Sequence, residues 1–300
     1  MTSLADTTPP RPSLIERASH WTLLRIPAYI LAVIVPVMAF EWSTHFAVPD
    51  EPSPYHAPLR MVLNLLGAVL VLGSYRLLVR VFERRPAVEL DVRAGAPPFC
   101  AGLAFGAGLL AAVYLLLWAL GCARFAAGDG LSVLWPALVG FFCVGVAEEV
   151  IFRGIVFRLV EQAGGTTVAI VVSGLFFGFA HALNDNATVV SCIDIAVEAG
   201  ILLALAYVLT RNLWFVIGIH TSWNLTEGTI FGGTVSGEAT PHALVKSSLD
   251  GPDWLTGGAF GLEASPLTLA LCLILCVVLG WRVAQRGEWR PATRFRLSLP

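Results

Sequence analysis

The sequence has 300 residues, of which 56% are hydrophobic and only 13% are charged. A soluble domain carries roughly 25% charged residues, so the composition excludes a disordered chain and argues against a soluble globule, which needs a polar surface. The formal net charge of −2 predicts no nucleic-acid partner. These values favour one membrane domain with the lipid bilayer as its surroundings.

Apolar residues cluster in about eight runs, and a membrane-spanning helix needs roughly 20 such residues. The runs do not alternate apolar with polar residues, as the strands of a membrane barrel would. We therefore predict an all-α polytopic membrane protein with about eight transmembrane helices in one membrane domain. The predicted helices are Leu24–Phe40, Met61–Val79, Phe99–Leu120, Val133–Phe157, Thr167–Leu183, Val189–Leu209, Leu213–Phe231 and Leu267–Trp281.

These helices divide the chain into three parts. Residues 1–20 form a polar, proline-containing tail, which we expect to be disordered and cytoplasmic. Residues 21–281 form the transmembrane domain, and residues 282–300 form a basic cytoplasmic tail. No small-residue cleavage site follows the first apolar run, so we expect that run to be retained as a signal anchor.

Basic residues set the predicted orientation. With the N-terminus in the cytoplasm, only Arg60, Arg124 and Lys246 fall on the outer side. This bias follows the positive-inside rule and places both termini in the cytoplasm, which requires an even number of helices. The cytoplasmic side collects Arg11, Arg17, Arg25, Arg76, Arg80, Arg84, Arg85, Arg93, Arg158, Arg211, Arg282, Arg286, Arg290, Arg294 and Arg296.

The longest polar stretch between predicted helices runs from Gly232 to Ser265, on the outer side. It is rich in glycine and serine, which is typical of a solvated loop. We expect a plain connector there, with a lid over a substrate site as the alternative.

Ionisable residues inside a membrane are costly, so they usually face the interior of the helix bundle and mark function. The fourth predicted helix contains GVAEEVIFRG, with Glu148, Glu149 and Arg153. Glu149 and Arg153 are four residues apart and share a face as a pair. Glu148 points about 100° away, so it is free to face a cavity and act as a general base. For Glu149 and Arg153, a purely structural ion pair is an equally good interpretation.

The fifth and seventh predicted helices also carry polar residues at helical spacing. Phe177 and His181 share one face of the fifth helix, and His220 and Asn224 share one face of the seventh. Depth can be counted from the cytoplasmic end of each helix at about 1.5 Å per residue. Glu148 then lies about 15 Å from the end near Arg158, and His220 lies about 13 Å from the end near Arg211. His181 lies deeper, about 21 Å from the end at Thr167. Helix tilt can remove this mismatch.

The sixth predicted helix carries Asp194 and Glu198, which are again four residues apart. They can line the cavity, or they can support packing against Arg153 or a neighbouring helix, and we assign them no role. Gly174 and Gly178 form a GxxxG pair, which predicts close approach of the fifth helix to a neighbour.

Three motifs occur in order along these helices: EExxxR (Glu148, Glu149, Arg153), FxxxH (Phe177, His181) and HxxxN (His220, Asn224). In this combination the chain resembles the CAAX protease and bacteriocin-processing (CPBP/Abi) family of intramembrane endopeptidases, related to the type II CAAX prenyl endopeptidases. The resemblance covers about Val133 to Phe231, so the block 133–231 is the predicted catalytic helix block. The other four helices match the family only by their number.

The resemblance implies an endopeptidase that cleaves a membrane-embedded or lipidated peptide or protein, in a bacterial cytoplasmic membrane. It does not imply that the substrate is prenylated. The roles it implies are general base for Glu148 with help from His181, oxyanion hole for His220 and Asn224, and supporting ion pair for Glu149 and Arg153.

Zinc is an open alternative to this glutamate-type mechanism. Glu148, His181 and His220 are two histidines and one glutamate, a set that can bind zinc and leave one position for water. The sequence contains no HExxH motif, and we favour a protease without a cofactor.

Two other classes of function remain open. Intramembrane carboxylates and histidines also form proton relays in transporters, but the sequence shows no clear inverted repeat or broken helix of the kind that transporters use. In a non-catalytic bacteriocin-immunity or scaffold protein, the motif residues would serve stability alone.

Overall fold

The computed structural model describes residues 25–47 and 56–291. The predicted disordered tail 1–20 and the end of the basic tail, 292–300, lie outside this part. Helices predominate in the described residues. The α-helices are α1 (Arg25–Ala47), α2 (His56–Phe82), α3 (Ala96–Ala119), α4 (Leu134–Glu149), α5 (Arg158–Ala180), α6 (Val189–Ile195), α7 (Leu202–Thr210), α8 (Leu213–Asn224), α9 (Asp253–Thr256) and α10 (Pro266–Gln285).

Three π-helical segments adjoin these α-helices. They are π1 (Val150–Phe157) between α4 and α5, π2 (Ala196–Ile201) between α6 and α7, and π3 (Leu225–Ile230) after α8. A π-helical turn contains an extra residue and is frequent at functional sites. Here π1 begins directly after Glu149, and π3 begins directly after Asn224.

Two small antiparallel sheets lie in the connections. β1 (Ala123–Ala127) pairs with β4 (Val245–Leu249), and β2 (Thr234–Val235) pairs with β3 (Glu238–Ala239). The prediction of an all-α fold missed these strands, because they are short and lie in polar connections without clear apolar alternation. Short 3-10 turns cover Val88–Leu90, Leu131–Val133, Gly258–Phe260 and Leu262–Ala264.

The structure confirms a mainly helical protein with helices long enough to cross a membrane, but it does not confirm eight of them. Five helical stretches of the described chain have the required length and hydropathy. The long stretch 131–180 contains the predicted fourth helix and the predicted fifth helix up to Ala180, so His181 lies just past the helix end. The predicted first and seventh helices are not among the five, and α1 contributes only the shorter apolar stretch Arg25–Pro36. The five stretches are Ala57–Phe82, Ala96–Ala119, Leu131–Ala180, Val189–Thr210 and Pro266–Gln285.

Gly165 divides the long stretch into two helices. Its φ of +81° lies outside the helical region, and a glycine adopts this value without a steric penalty. The next residue, Thr166, donates its N–H to the carbonyl oxygen of Arg290 instead of continuing the helix. The break therefore lies between the predicted ends of the fourth and fifth helices.

Small residues allow close contacts in the block that carries the motifs. A Cβ at Gly178 of α5 would lie 2.1 Å from the carbonyl oxygen of Cys192 in α6, which confirms the predicted close approach at this position. A Cβ at Gly218 of α8 would lie 2.3 Å from the carbonyl oxygen of Phe99 in α3. This second contact fixes the position of the helix that carries His220.

Ion pairs lie at the arginine-rich end of the bundle, and one of them joins α5 to the end of α2. Arg158 donates two hydrogen bonds to Glu83, at 2.6 and 2.7 Å, and Arg85 donates two to Glu89, at 2.9 and 2.8 Å. Burial raises the pKa of the Glu83 carboxyl, but hydrogen bonds from Arg158 and Arg85 outweigh burial and hold this pKa below its ordinary value. The pKa of Glu89 is lowered in the same way, because the bonds from Arg85 and Tyr75 outweigh its burial.

The segment Gly232–Ser265 is not a plain connector, so that prediction is wrong. It contains β2, β3, β4 and α9, and two buried acids attach it to the bundle. Glu263 accepts a hydrogen bond of 3.1 Å from Nε1 of Trp223, and Glu227 accepts one of 2.8 Å from the backbone N–H of Leu262. The polar composition of the segment did not distinguish such attachments from solvated side chains.

Candidate active site

Glu148, His181 and His220 meet in one cavity of about 240 Å³. Glu148 lies near the end of α4, His181 directly follows α5, and His220 lies in α8. The Oε2 atom of Glu148 is 4.0 Å from Nε2 of His181 and 3.9 Å from Nε2 of His220. The structure thus brings together three residues that the sequence places on separate helices.

Asn224 lines the same cavity. It ends α8, one helical turn after His220, so both side chains lie on one face of the helix. Residues of the β2–β3 hairpin line the cavity as well. These hairpin residues are Val235, Ser236, Glu238, Ala239 and Thr240.

Glu149 lies behind His220 and is fully buried. Its Oε1 atom accepts a hydrogen bond of 2.9 Å from Nη1 of Arg153 and lies 2.9 Å from Nδ1 of His220. An ionised carboxylate can only accept hydrogen bonds, so Nδ1 of His220 carries a proton and Nε2 faces Glu148. The predicted Glu149–Arg153 pair is present, and its contact with His220 connects it to the cavity.

Arg153 joins two parts of the block. Its Nη2 atom donates hydrogen bonds to the carbonyl oxygens of Ala199 and Gly200, at 2.6 and 3.1 Å. Its guanidinium lies 4.6 Å from the centre of the Phe177 ring. These contacts offset part of the cost of burying a cation, and they fix the helix of the first motif against π2 and against the second motif.

Phe177 contacts both histidines of the cavity. Its ring centre lies 5.1 Å from that of His181 and 5.9 Å from that of His220. Its carbonyl oxygen lies 2.9 Å from Nδ1 of His181. A carbonyl can only accept, so Nδ1 carries the proton and Nε2 of a neutral His181 has a free lone pair. The depth mismatch expected for His181 does not keep it from the site, because its Nε2 atom lies 4.0 Å from Oε2 of Glu148.

The three side chains have the chemistry of a zinc site, but their spacing does not match one. Two ligands of a tetrahedral zinc lie roughly 3.3 Å apart, whereas Glu148 lies 3.9 and 4.0 Å from the two imidazoles. Among the described residues, no group of three or more His, Cys, Asp or Glu side chains is arranged to hold a metal ion. We therefore derive no reaction step through zinc.

Asp194 and Glu198 are both buried. Neither pairs with Arg153, because the Arg153 guanidinium reaches backbone carbonyls and Glu149 instead. Both carboxylate oxygens of Glu198 lack a hydrogen-bond partner within the described part of the chain. Neither residue is among those that line the cavity, so the structure assigns them no catalytic contact.

Sequence reasoning missed two buried acids, Glu227 and Glu263, of which Glu263 lines the cavity and Glu227 does not. Glu227 lies in the predicted seventh helix, three residues after Asn224, and an acid in an apolar run was a sufficient signal to find it. Glu263 lines the cavity and accepts hydrogen bonds from Trp223 and Ser236. It comes from the polar segment after the seventh helix, where no sequence signal marks it.

A second cavity of about 800 Å³ adjoins the first. Phe141, Val144 and Thr240 line both. Its other walls are mostly apolar and include residues of α2 and α4. The two spaces therefore meet beside the segment that follows β3.

Fold and site together describe a helical membrane protein with a carboxylate beside two imidazoles in a cavity, an arrangement suited to activating water. Residues 130–226 match the family model described as type II CAAX prenyl endopeptidase Rce1-like. This range covers about a third of the chain and contains all three motifs. The match confirms the resemblance predicted from the motifs, and it supports a protease that acts at a membrane. No curated protein and no solved structure shows a significant match to the chain.

Proposed function

We propose that this protein is an intramembrane endopeptidase that hydrolyses a peptide bond in a membrane-embedded or lipidated protein or peptide. The observation that carries the proposal is the position of Glu148, whose Oε2 atom lies 4.0 and 3.9 Å from Nε2 of His181 and His220. A substrate water held among these groups would be within hydrogen-bond reach of each, and a general base acts through such a water. The match of residues 130–226 to an endopeptidase family supports this function.

The proposed reaction begins when Glu148 takes a proton from the water and the water oxygen attacks the peptide carbonyl carbon. The carbonyl oxygen gains negative charge, which Nε2–H of His220 and the side-chain N–H of Asn224 stabilise. His220 donates as the imidazolium, and the Glu149 carboxylate at Nδ1 balances its charge. The C–N bond then breaks, and the proton on Glu148 passes through Nε2 of His181 to the leaving amine.

We also propose that eight segments cross a bacterial cytoplasmic membrane, with both termini in the cytoplasm and the block 133–231 as the catalytic part of the domain 21–281. The arginine-rich end of the bundle supports this orientation. The β2–β3 hairpin, which lines the cavity, would then lie on the outer side. In this arrangement the substrate reaches Glu148 from the outer side of the membrane.

The test is Glu148→Gln, which preserves the size of the side chain and removes the general base. Peptides released from membranes that contain the wild type or the variant are compared by mass spectrometry. We expect a set of products that is missing from the variant, although the variant inserts and unfolds at the same temperature. Asp253→Asn changes an exposed acid outside the cavity and should leave the products unchanged. Unchanged products in Glu148→Gln would contradict the proposal.

Two further measurements separate the alternatives. An immunity or scaffold protein would keep its phenotype after Glu148→Ala and His220→Ala. A transporter would move protons or a solute across liposomes without releasing peptides.

A further inference from the structure

The β2–β3 hairpin is fixed at the cavity from two sides. Its turn residues, Ser236 and Gly237, have φ values of +48° and +90°, as in the type I′ turns that connect adjacent strands. Ser236 donates its N–H and its hydroxyl to Oε2 of Glu263, at 2.7 and 2.6 Å. Its carbonyl oxygen accepts a bond of 2.8 Å from Asn184. The hairpin is therefore a rigid wall of the cavity.

The register of the hairpin leaves one strand edge open. Val235 and Glu238 flank the two-residue turn and exchange hydrogen bonds, so the next pair, Thr234 and Ala239, points its N–H and C=O groups outward. The edge at Thr234 is covered, because a Cβ at Gly261 would lie only 2.2 Å from its carbonyl oxygen. The edge at Ala239 is the one available for pairing.

This open edge borders the site. Glu238 and Ala239 are both exposed, and both line the cavity that contains His220 and Asn224. Thr240 continues from the strand into the second cavity. An added strand would therefore run beside the groups that we propose for hydrolysis.

Hydrolysis itself requires an extended substrate. The carbonyl groups of a helix are already hydrogen-bonded, and side chains surround its backbone. Once the segment is extended in a water-poor cavity, each unpaired N–H and C=O group is costly. A strand edge supplies the missing partners through backbone groups alone, as in other cases of strand addition.

We infer that the substrate binds as an extended polypeptide strand that pairs with Ala239 at the open edge of β3. Backbone groups provide the binding, and alternate side chains of the substrate face the cavity. The inference rests on the proposed function in one respect, namely that the bound strand is cleaved beside Glu148. The pairing itself is a binding event that can be measured without cleavage.

The first measurement uses the full chain with Glu148→Gln in detergent micelles. Fluorescein-labelled random peptides of twelve residues are screened by anisotropy, and the tightest binder becomes the probe. Ala239→Pro removes the outward N–H and keeps the bonds within the hairpin. We expect this change to weaken Kd about tenfold.

Ala127→Pro is the matched control for this substitution. Ala127 is an exposed alanine of β1 that does not line the cavity. Ser247, opposite Phe125, donates its N–H away from β1 to Phe231. By alternation, the N–H of Ala127 also points away from its partner strand. This variant should leave Kd within about twofold of the parent value, because no strand is expected to pair there.

The second measurement changes the probe and leaves the hairpin intact. N–H groups alternate in direction along a strand, so N-methylation of the probe should weaken binding about tenfold at one position and less than about twofold at the next. Ala239→Pro should remove this alternation. Equal Kd for the parent and Ala239→Pro, equal weakening at every position, or no binding peptide in the pool would each overturn the inference. If the probe binds by strand pairing but the enzyme that retains Glu148 does not cleave it, the result would instead contradict the proposed function.

Discussion

Glu149 balances two positive groups behind the cavity, since one of its oxygens lies 2.9 Å from both Arg153 and Nδ1 of His220. Glu149→Gln keeps a similar shape and an oxygen that accepts hydrogen bonds, but it removes the negative charge. The imidazolium form of His220 then faces Arg153 without a counter-ion. His220 should lose its second proton, and with it the Nε2–H that we propose for the oxyanion hole.

The size of the effect follows from these contacts. Loss of one oxyanion donor lowers kcat by about 10²–10³, and loss of the carboxylate that orients a catalytic histidine lowers it by about 10⁴. We expect kcat to fall within that range, with KM nearly unchanged because Glu149 lies behind His220. Arg153 has no exposed surface, so its charge would remain buried without its partner, and unfolding should become easier by about 3–5 kcal/mol.

The assay combines steady-state cleavage of an identified product peptide with thermal unfolding in detergent. Replacing both partners, by Glu149→Gln with Arg153→Met, should recover part of the stability because no charge is left buried alone, but it should not recover kcat. Glu161→Gln is the control, since Glu161 is buried, accepts bonds of 2.6 and 3.0 Å from Arg211 and does not line the cavity. It should lower stability and leave kcat unchanged. A Glu149→Gln enzyme with kcat within about twofold of wild type would refute the reasoning.

Three further predictions address other parts of the molecule. Asn224→Ala should lower kcat about 10²–10³-fold with little change in KM, and a steady-state comparison with Asn224→Gln tests whether the amide is the donor. Extraction with a strong chelator should leave full activity and no bound metal by mass spectrometry; activity that is lost and then restored by zinc would favour the metalloprotease alternative. Because the pKa values of Glu83 and Glu89 are lowered in the folded protein, their contribution to stability is fully present above the unfolded value of about 4.3 and is lost as pH falls through the folded values. Thermal unfolding from pH 7 to pH 3 should show this loss, and the double variant Glu83→Gln with Glu89→Gln should show a smaller dependence on pH over the acidic range.

The contacts that the sequence predicted well are those within one helix. Helical spacing alone places Arg153 beside Glu149 and Asn224 on the face of His220. The expectation that Glu148 and the two histidines face one cavity came from the cost of charge in lipid, and the structure brings all three together. These inferences needed only the spacing of residues along a helix and the free-energy cost of placing an ionisable side chain in lipid.

The contacts that the sequence could not predict cross between distant parts of the chain. The bond between Glu149 and His220 joins residues 71 positions apart, and no spacing rule applies at that distance. Glu263 and the hairpin residue Ser236 lie in a polar segment. In such a segment, residue type does not distinguish a side chain that contacts the bundle from one that faces water. Their position depends on how the segment folds back over α8, which is a tertiary property.

The π-helical segment π1 separates two tasks that one continuous α-helix would couple. An extra residue in a regular α-helix would rotate everything after it by about 100°, but π1 holds the extra residue in a wider turn and so avoids that rotation. Glu149 therefore contacts His220 while Arg158, at the other end of π1, contacts Glu83. A regular α-helix over the same eight residues would turn Arg158 away from Glu83, whereas an α-helix with one residue fewer would keep Arg158 directed at Glu83. The wider turn of π1 thus lets one helix direct Glu149 to His220 and Arg158 to its ion pair with Glu83.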